Sequence, residues 1–316
     1  MRTICPVDRE QTANDVIDAL HAANGVHPGF RPAHAKGILV RGTFRPAYEA
    51  RSLTCAPHMQ DTQIPVTIRF SDFAGFPTVA DTNGAAASPR GCALRFQLGE
   101  HKHTDIIAHS VDAFPTRTAE EFAEFIRAIA ASGAGSTKPT PIEEFLSRNP
   151  AALAFVQAPK PIPVSFAREC YFAVNAYKFT TALGSVRYGR YRIRPEGGPR
   201  YVLEAELGKM QNNFLAEEMK ESLLRGTRNL LISVQVAESR DITDDSTVRW
   251  PEDRLDVRLG TLELREFVDE SAAEQQHIIF DPVPRIPGIE PSGDPLIEDR
   301  AATYLVSGRR RRCEAM

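Results

Sequence analysis

The chain lacks a paired-cysteine pattern. Its 316 residues include five cysteines, Cys5, Cys55, Cys92, Cys170 and Cys313, odd in number, scattered, and without a CxxC. That distribution argues against a disulfide framework or a zinc site and suits idle thiols in a reducing compartment. Long apolar runs are missing as well. None approaches the roughly 18–20 residues needed to span a bilayer, and MRTICPVDREQTANDVIDAL has no apolar stretch of signal-peptide type. A cytoplasmic protein with no membrane partner is expected. Positive charge is not in excess: 38 Lys and Arg against 41 Asp and Glu give a formal net charge of −3, and the only concentrated basic run is RRRR at 309–312. No nucleic-acid partner is expected from that balance. Internal repeats and low-complexity tracts are also absent. What is there, 42% hydrophobic and 25% charged residues, is the composition of an ordinary globule.

The richest chemistry lies near the end of the chain, at residues 280–312. Asp294-Pro295 reads as a helix start, an Asp N-cap followed by Pro where a missing N–H costs nothing. Acidic Glu298 and Asp299 come early and the basic run closes the helix, the order that complements its dipole. Arg300 and Tyr304, four apart, share one face, and Arg311, seven further on, returns to it. Nearby positive charge and hydrogen bonding favour a phenolate. A phenolate can ligate ferric haem, and a further arginine can hold a propionate. By spacing alone, the same residues also suit an amphipathic helix with a solvated basic tail.

The stretch PGIEPSGDPLIEDRAATYLVSGRRR resembles the proximal segment of haem catalases, in which PGI-x-PS-x-D is followed by R-x-x-x-Y and, seven residues on, an arginine. Tyrosine ligation is that family's known mode. The resemblance implies Tyr304 as the metal ligand, Arg300 as its charge partner and Arg311 as a propionate contact of a haem, haem b with ferric iron. Leu305-Val306-Ser307 stands where large catalases have PDT.

Four further segments carry the likeness in family order. RPAHAKG matches the distal motif, which makes His34 the general base and Arg31 a propionate contact, although a histidine at a strand start is more often structural. The RFS of IPVTIRFSDFAGFP makes Arg69 a propionate or electrostatic residue and Ser71 the hydroxyl that orients His34, while Phe73 replaces a small residue over the haem. DTNGAAASPRGCALRF keeps the family's PRG. DIIAHSVDAFP places His109 where the family has its second distal residue, an asparagine. An imidazole there could change charge near neutral pH, or His109 could face away and leave the work to Ser110. Phe122, thirteen residues on, is either the haem-stacking phenylalanine or core packing. Large catalases continue into a long wrapping region absent from this sequence, from which a less enclosed haem edge is expected.

Periodicity predicts helices at residues 8–23 (ended by Gly25), 119–132, 142–157 and 212–226, and strands at 36–44, 91–98 and 105–115, with residues 64–77 a strand ending in a Gly/Pro turn. Barrel-type strands are expected at 171–180, 186–195, 200–207 and 229–237. The fold expected is α+β: a catalase-like antiparallel β-barrel core with surrounding helices, one domain over residues 1–316 with residues 1–27 as a helical extension. That extension could pack on the body or on a second copy, which leaves a homo-oligomer possible. The expected function is a haem peroxidase that reduces hydrogen peroxide or organic hydroperoxides with a small organic reductant. A hydroperoxide isomerase or dehydratase is the alternative. A non-catalytic haem carrier is disfavoured because it would need no His34–Ser71 pair.

Overall fold

The structure, a computed structural model, describes residues 6–314 except residue 61. Helix α1 (Pro6–Asn24) stops at Gly25, whose φ of +80° is open to glycine and whose N–H returns 2.8 Å to the His21 carbonyl. Strands β1 (Gly37–Pro46), β2 (Ile64–Ser71), β3 (Gly91–Gly99) and β4 (Lys102–His109) form an antiparallel meander, with the helical turn α2 (Gly84–Ala87) before β3. Helices α3 (Ala119–Ala130), α4 (Pro141–Arg148) and α5 (Pro150–Gln157) follow. The second half of the sheet comprises β5 (Tyr171–Phe172), β6 (Tyr177–Thr180), β7 (Val186–Pro195), β8 (Arg228–Val236) and β9 (Asp256–Phe267). The helices α6 (Glu204–Leu207) and α7 (Phe214–Leu224) precede β8. Helix α8 (Ala272–His277), β10 (Ile289–Pro291) and the long α9 (Pro295–Cys313) complete the chain.

Pairing runs β7-β5-β4-β3-β2-β1-β9-β8, and β8 returns to β7, so eight strands close a barrel; β6 and β10 extend from one edge of β7. The barrel is filled by the period-two residues of its strands, among them Val66, Ile68 and Phe70 of β2 and Leu94 and Phe96 of β3. The alternate residues of the same strands face outward. A second core, made by Val16 and Leu20 of α1, Phe125 and Ile126 of α3, Phe145 of α4 and Leu296 of α9, lies outside the barrel. The N-terminal helix therefore packs on the body, and Ala13 and Ile17 meet Val306 of α9. No described helix is long and apolar enough to cross a membrane, and the described cysteines Cys55, Cys92, Cys170 and Cys313 are free; Cys5 lies outside the described residues.

Several elements differ from the sequence expectation. Residues 142–157 form two helices, because Pro150 lacks an N–H and its ring pushes Asn149 to φ −125°, ψ 83°. The strand expected at 200–207 is a turn plus α6: Tyr201 makes only an isolated bridge with Pro163, and Glu204–Leu207 is rich in good helix formers. The strand expected at 105–115 lies earlier and ends at His109, and 171–180 is split into β5 and β6. In α3, Phe125 and Ile126 are buried while Ile129 is 42% exposed.

One buried residue has no partner to explain it. His58 is 1% exposed, its ring lies 4.9 Å from that of Phe96, and its Nδ1 has no hydrogen-bond partner. Burial alone lowers its pKa from 6.5 to about 3. Below the unfolded value the unfolded chain takes a proton that the fold excludes, so this residue's contribution is lost as pH falls from 6.5 towards 3. His58→Leu should therefore gain on the parent protein by roughly 1.4 kcal/mol per pH unit between about pH 6 and 4. Urea unfolding at stepped pH measures the difference; one that stays flat with pH would show that the ring reaches solvent.

Candidate active site

Sheet register builds one wall of the site. Ser71 pairs with Gly91, and Gly91 pairs with His109, so β2, β3 and β4 carry these three residues in one row. Glycine in the middle leaves a gap in the row, and His34 fills it. A Cβ on Gly91 would lie 2.5 Å from Ser71 Oγ and 2.8 Å from His34 Nδ1, so no larger residue fits there. The Nδ1 of His34 is 3.0 Å from Ser71 Oγ. The His34 backbone has a φ of +56°, left-handed and unusual for a side-chain-bearing residue. It is held there by its N–H donating to Phe73 O (2.7 Å) and by Arg69 Nη2 donating to His34 O (2.8 Å). Phe73 stands edge-on to the imidazole at 5.5 Å.

The facing wall is α9. Its residues Leu296, Arg300, Thr303, Tyr304, Ser307 and Arg311 line the cavity at helical spacing. Asp294 caps the helix by accepting from Leu296 N at 2.9 Å with Oδ1, and its Oδ2 accepts from Asn175 Nδ2 at 2.7 Å. The Oδ1 of Asn175 then accepts from Arg300 Nη1. Arg300 in turn donates to the Tyr304 oxygen from Nη2 at 3.1 Å and from Nε at 3.4 Å. A chain of bonds from the helix cap thus fixes the phenol. Burial opposes the charge of Arg300, but Tyr304, Tyr177 and Asp294 more than offset it and its pKa is raised. Gly308 lets α9 approach segment 278–280, since a Cβ there would lie 2.3 Å from Ile279 Cδ1.

At one side of the cavity three guanidiniums converge on residues 275–278. Arg31 donates to Gln275 O (2.8 Å) and Ile278 O (2.9 Å). Arg69 donates to Gln275 Oε1 (2.9 Å), and Arg311 to Gln276 O (2.7 Å) and Ile278 O (2.5 Å). None of the three has a carboxylate at ion-pair distance among the described residues. Burial, then neighbouring guanidiniums, lowers their pKa values: Arg69 falls to about 9 by burial and Arg311, Arg31 is lowered by burial, Arg69 and Arg311, and Arg311 falls to about 10 by burial and Arg312. All three stay charged at neutral pH. Buried like charges of this kind are stable only with anionic compensation, and carboxylate arms of a ligand would provide it in bidentate form.

The nine side chains singled out in the sequence, His34, Ser71, His109, Arg31, Arg69, Phe122, Arg300, Arg311 and Tyr304, all line this one cavity, which encloses about 1240 Å³ of empty space counting its open mouth. Phe122 lines it while also packing on Phe114, with ring centroids 5.2 Å apart, so it is a core residue that also faces the cavity. His109 faces the cavity; Ser110 does not line it, and its hydroxyl accepts from Arg90 N at 2.9 Å. Neither distal imidazole changes charge near neutral pH. Burial, then the surrounding Arg69, His109, Arg31 and Arg300, brings His34 to about 3, and burial with Arg300 brings His109 to about 3. The expectation that His109 would titrate near neutrality is thereby corrected. Asn175 and Gln275 were not foreseen: neither stands in a motif, and only the fold brings them in.

The donor set suits a haem. Three uncompensated guanidiniums match two propionates, a phenol stands on α9, and the remaining lining, with Leu20, Ile107, Phe114 and Ile279, is apolar. The family model for catalase matches residues 16–315. The chain is similar to a "Catalase-related peroxidase" of Mycolicibacterium paratuberculosis (31% identity, covering 94% of this chain and 93% of the relative). A protein of the same description from Synechococcus elongatus shares 31% identity, covering 95% and 88%. A catalase of Capsicum annuum is 28% identical over 89% of this chain but only 60% of its own length. Among solved structures, a fungal catalase superposes with a TM-score of 0.79 at 20% identity, covering 94% of this chain and 62% of that one.

The bond chain to the phenol predicts a measurable cost. Asn175→Ala strands a guanidinium N–H and a carboxylate oxygen in a buried setting, and should lower stability to denaturant by about 2–4 kcal/mol. A loss below about 1 kcal/mol would show that water replaces the amide and that the chain is not closed by protein alone.

Proposed function

The chain belongs to the catalase family, and on that premise we propose that it is a haem-dependent peroxidase, reducing hydrogen peroxide or organic hydroperoxides with a small organic donor. The observation that carries this reading is one cavity with three buried guanidiniums lacking carboxylate partners, and with Tyr304 on α9 and the His34–Ser71 pair on the barrel wall. A haem, haem b with ferric iron, would supply the redox chemistry for reducing a peroxide. Arg31, Arg69 and Arg311 would hold its propionates, Phe122 would pack against it, and Tyr304 would ligate its iron through the phenol oxygen, which Arg300 holds with two hydrogen bonds.

His34 moves the proton. With Nδ1–H donated to Ser71 Oγ, Nε2 carries the lone pair. A neutral imidazole is the form needed to take a proton from the peroxide, and burial keeps it neutral. The proton then returns to the departing oxygen, which leaves as water or an alcohol. The left-handed backbone and its two anchoring bonds fix the ring before substrate arrives, the preorganisation such a transfer requires. The free cysteines fit a cytoplasmic setting.

Two substitutions test the assignment. Tyr304→Phe keeps the shape and removes the oxygen ligand, so the ferric absorption spectrum should change and haem retention fall; an unchanged spectrum would refute the ligand. His34→Ala should slow the stopped-flow reaction with peroxide by about 10²–10⁴-fold with haem content unchanged. A rate within a few-fold of the parent protein would reject His34 as the proton carrier.

A further inference from the structure

Resting on the reading of His34 as the proton carrier, we infer that a cluster of four charged side chains outside the cavity lining, Lys36, Asp72, Asp81 and Arg90, positions the His34–Ser71 pair, with Asp72 and Arg90 as its positioning residues. Three of the four adjoin the pair or the gap in which its imidazole sits. Lys36 is two residues after His34, Asp72 follows Ser71, and Arg90 precedes Gly91. Beyond the last strand pair, Gly37 with Ser71, three backbone bonds carry the β1–β2 ladder on to His34. They run from Asp72 N–H to Lys36 O (3.1 Å), from His34 N–H to Phe73 O (2.7 Å) and from Ala35 N–H to Ala74 O (3.0 Å). The cluster holds this extension in place. Arg90 donates to Asp72 Oδ1 and to Asp81 O, and Lys36 donates to Asp81 Oδ1 and, at 2.8 Å, to Val79 O. Its outer anchor is α7 and the segment before it. Asp81 Oδ2 accepts from Leu215 N in the first turn of α7 (2.7 Å), and Lys36 donates to Asn212 O (2.9 Å).

Asp72, Asp81 and Arg90 are each 1% exposed. Charged groups so buried are tolerated only when paired and hydrogen-bonded, which leaves the cluster little freedom of geometry. His34 needs such a support, because its left-handed residue precedes β1 and lies in no helix or strand of its own. The cluster acts through shape and not through its field. The neighbours that act on the His34 ring are Arg69, His109, Arg31 and Arg300, none of them in the cluster. Burial, helped by Asp81, raises Asp72 to about 7 against the pull of Arg90 and Lys36. Its Oδ1 can accept from Arg90 whether or not the acid is protonated, so the hold on the pair persists through that titration.

Asp72→Ala removes the acceptor, whereas Asp72→Asn keeps the shape and one acceptor oxygen. Hydrogen exchange of the purified protein, read by mass spectrometry on peptides covering residues 33–37, follows the ladder extension without any turnover. The Ala variant should exchange there about tenfold faster or more. Its stopped-flow reaction with peroxide, per bound haem, should be slower by about 10–100-fold. That factor should be the same from about pH 6 to 8.5, because the ring is misplaced and its proton affinity is not changed. The Asn variant should stay within about fivefold of the parent protein in both measurements. Should the Ala variant fail to fold, Lys36→Met combined with Asp72→Ala removes one charge of each sign and is held to the same outcomes. Unchanged exchange at 33–37 would overturn the inference. So would faster exchange with the peroxide rate kept, an Asn variant as impaired as Ala, or a factor that varies with pH. Protein that takes up no haem, or His34→Ala at the parent rate, would instead overturn the reading on which the inference rests, and the exchange result is read independently of both.

Discussion

Everything on the distal side of the cavity depends on the register of three strands. Ser71, Gly91 and His109 share a row across β2, β3 and β4. Neighbouring strands lie about 4.8 Å apart, so the two outer residues of such a row stand about 10 Å apart, enough for one ring between them. Register also decides which face each residue takes. On β2, Ile68 and Phe70 enter the barrel while Arg69 and Ser71 line the cavity. A slip of one residue would send the arginine and serine into the hydrophobic core and turn the core residues to the site. The barrel interior therefore fixes the chemistry indirectly: the large apolar payload of one face holds the polar face in place.

The proximal side depends on a different element but on the same logic. Helix α9 presents its polar residues to the cavity at helical spacing, and its other contacts decide how that face is turned. Val306 packs on α1, Leu296 joins the outer core, and Gly308 allows contact with Ile279. The cap residue Asp294 belongs to the same bond chain that ends on Tyr304. Helix start and phenol orientation are thus one structural feature. Segment 275–278 joins the two sides, since its carbonyls and the Gln275 amide receive Arg31 and Arg69 from the barrel side and Arg311 from α9.

Legibility in the sequence followed the range of the interactions. The α9 start could be read because Asp294-Pro295 is a local signal, and the barrel strands because period-two alternation is local too. The site residues were placed by dense motifs around His34, Arg69, Gly91 and Tyr304. What escaped was set by long-range partners. Asn175 matters because the fold puts it beside both Asp294 and Arg300, and no spacing in the chain records that. The break at Pro150 was written in the sequence and outweighed by the apolar pattern on either side of it. Residues 200–207 failed for the opposite reason: short apolar alternation suggested a strand, but no neighbour was free to pair with it beyond the bridge at Pro163.

The charge of the cavity bears on the two histidines that line it. Arg31, Arg69, Arg300 and Arg311 all line the cavity, and no described carboxylate lines it with them. Such a field favours anionic ligand groups and disfavours further cations. Two histidines placed in it are held in their neutral forms by burial and by those same arginines. A histidine usually serves as a switch near neutral pH, and here that property is removed. What remains useful in each ring is the position of its single proton. Ser71 engages Nδ1 of His34, and the Val111 amide engages Nδ1 of His109, but with opposite consequences: the serine oxygen can accept, leaving a base at Nε2, whereas an amide N–H can only donate, leaving a donor. Two identical side chains in one electrostatic field are thus held by different partners, one by a hydroxyl and one by a backbone amide.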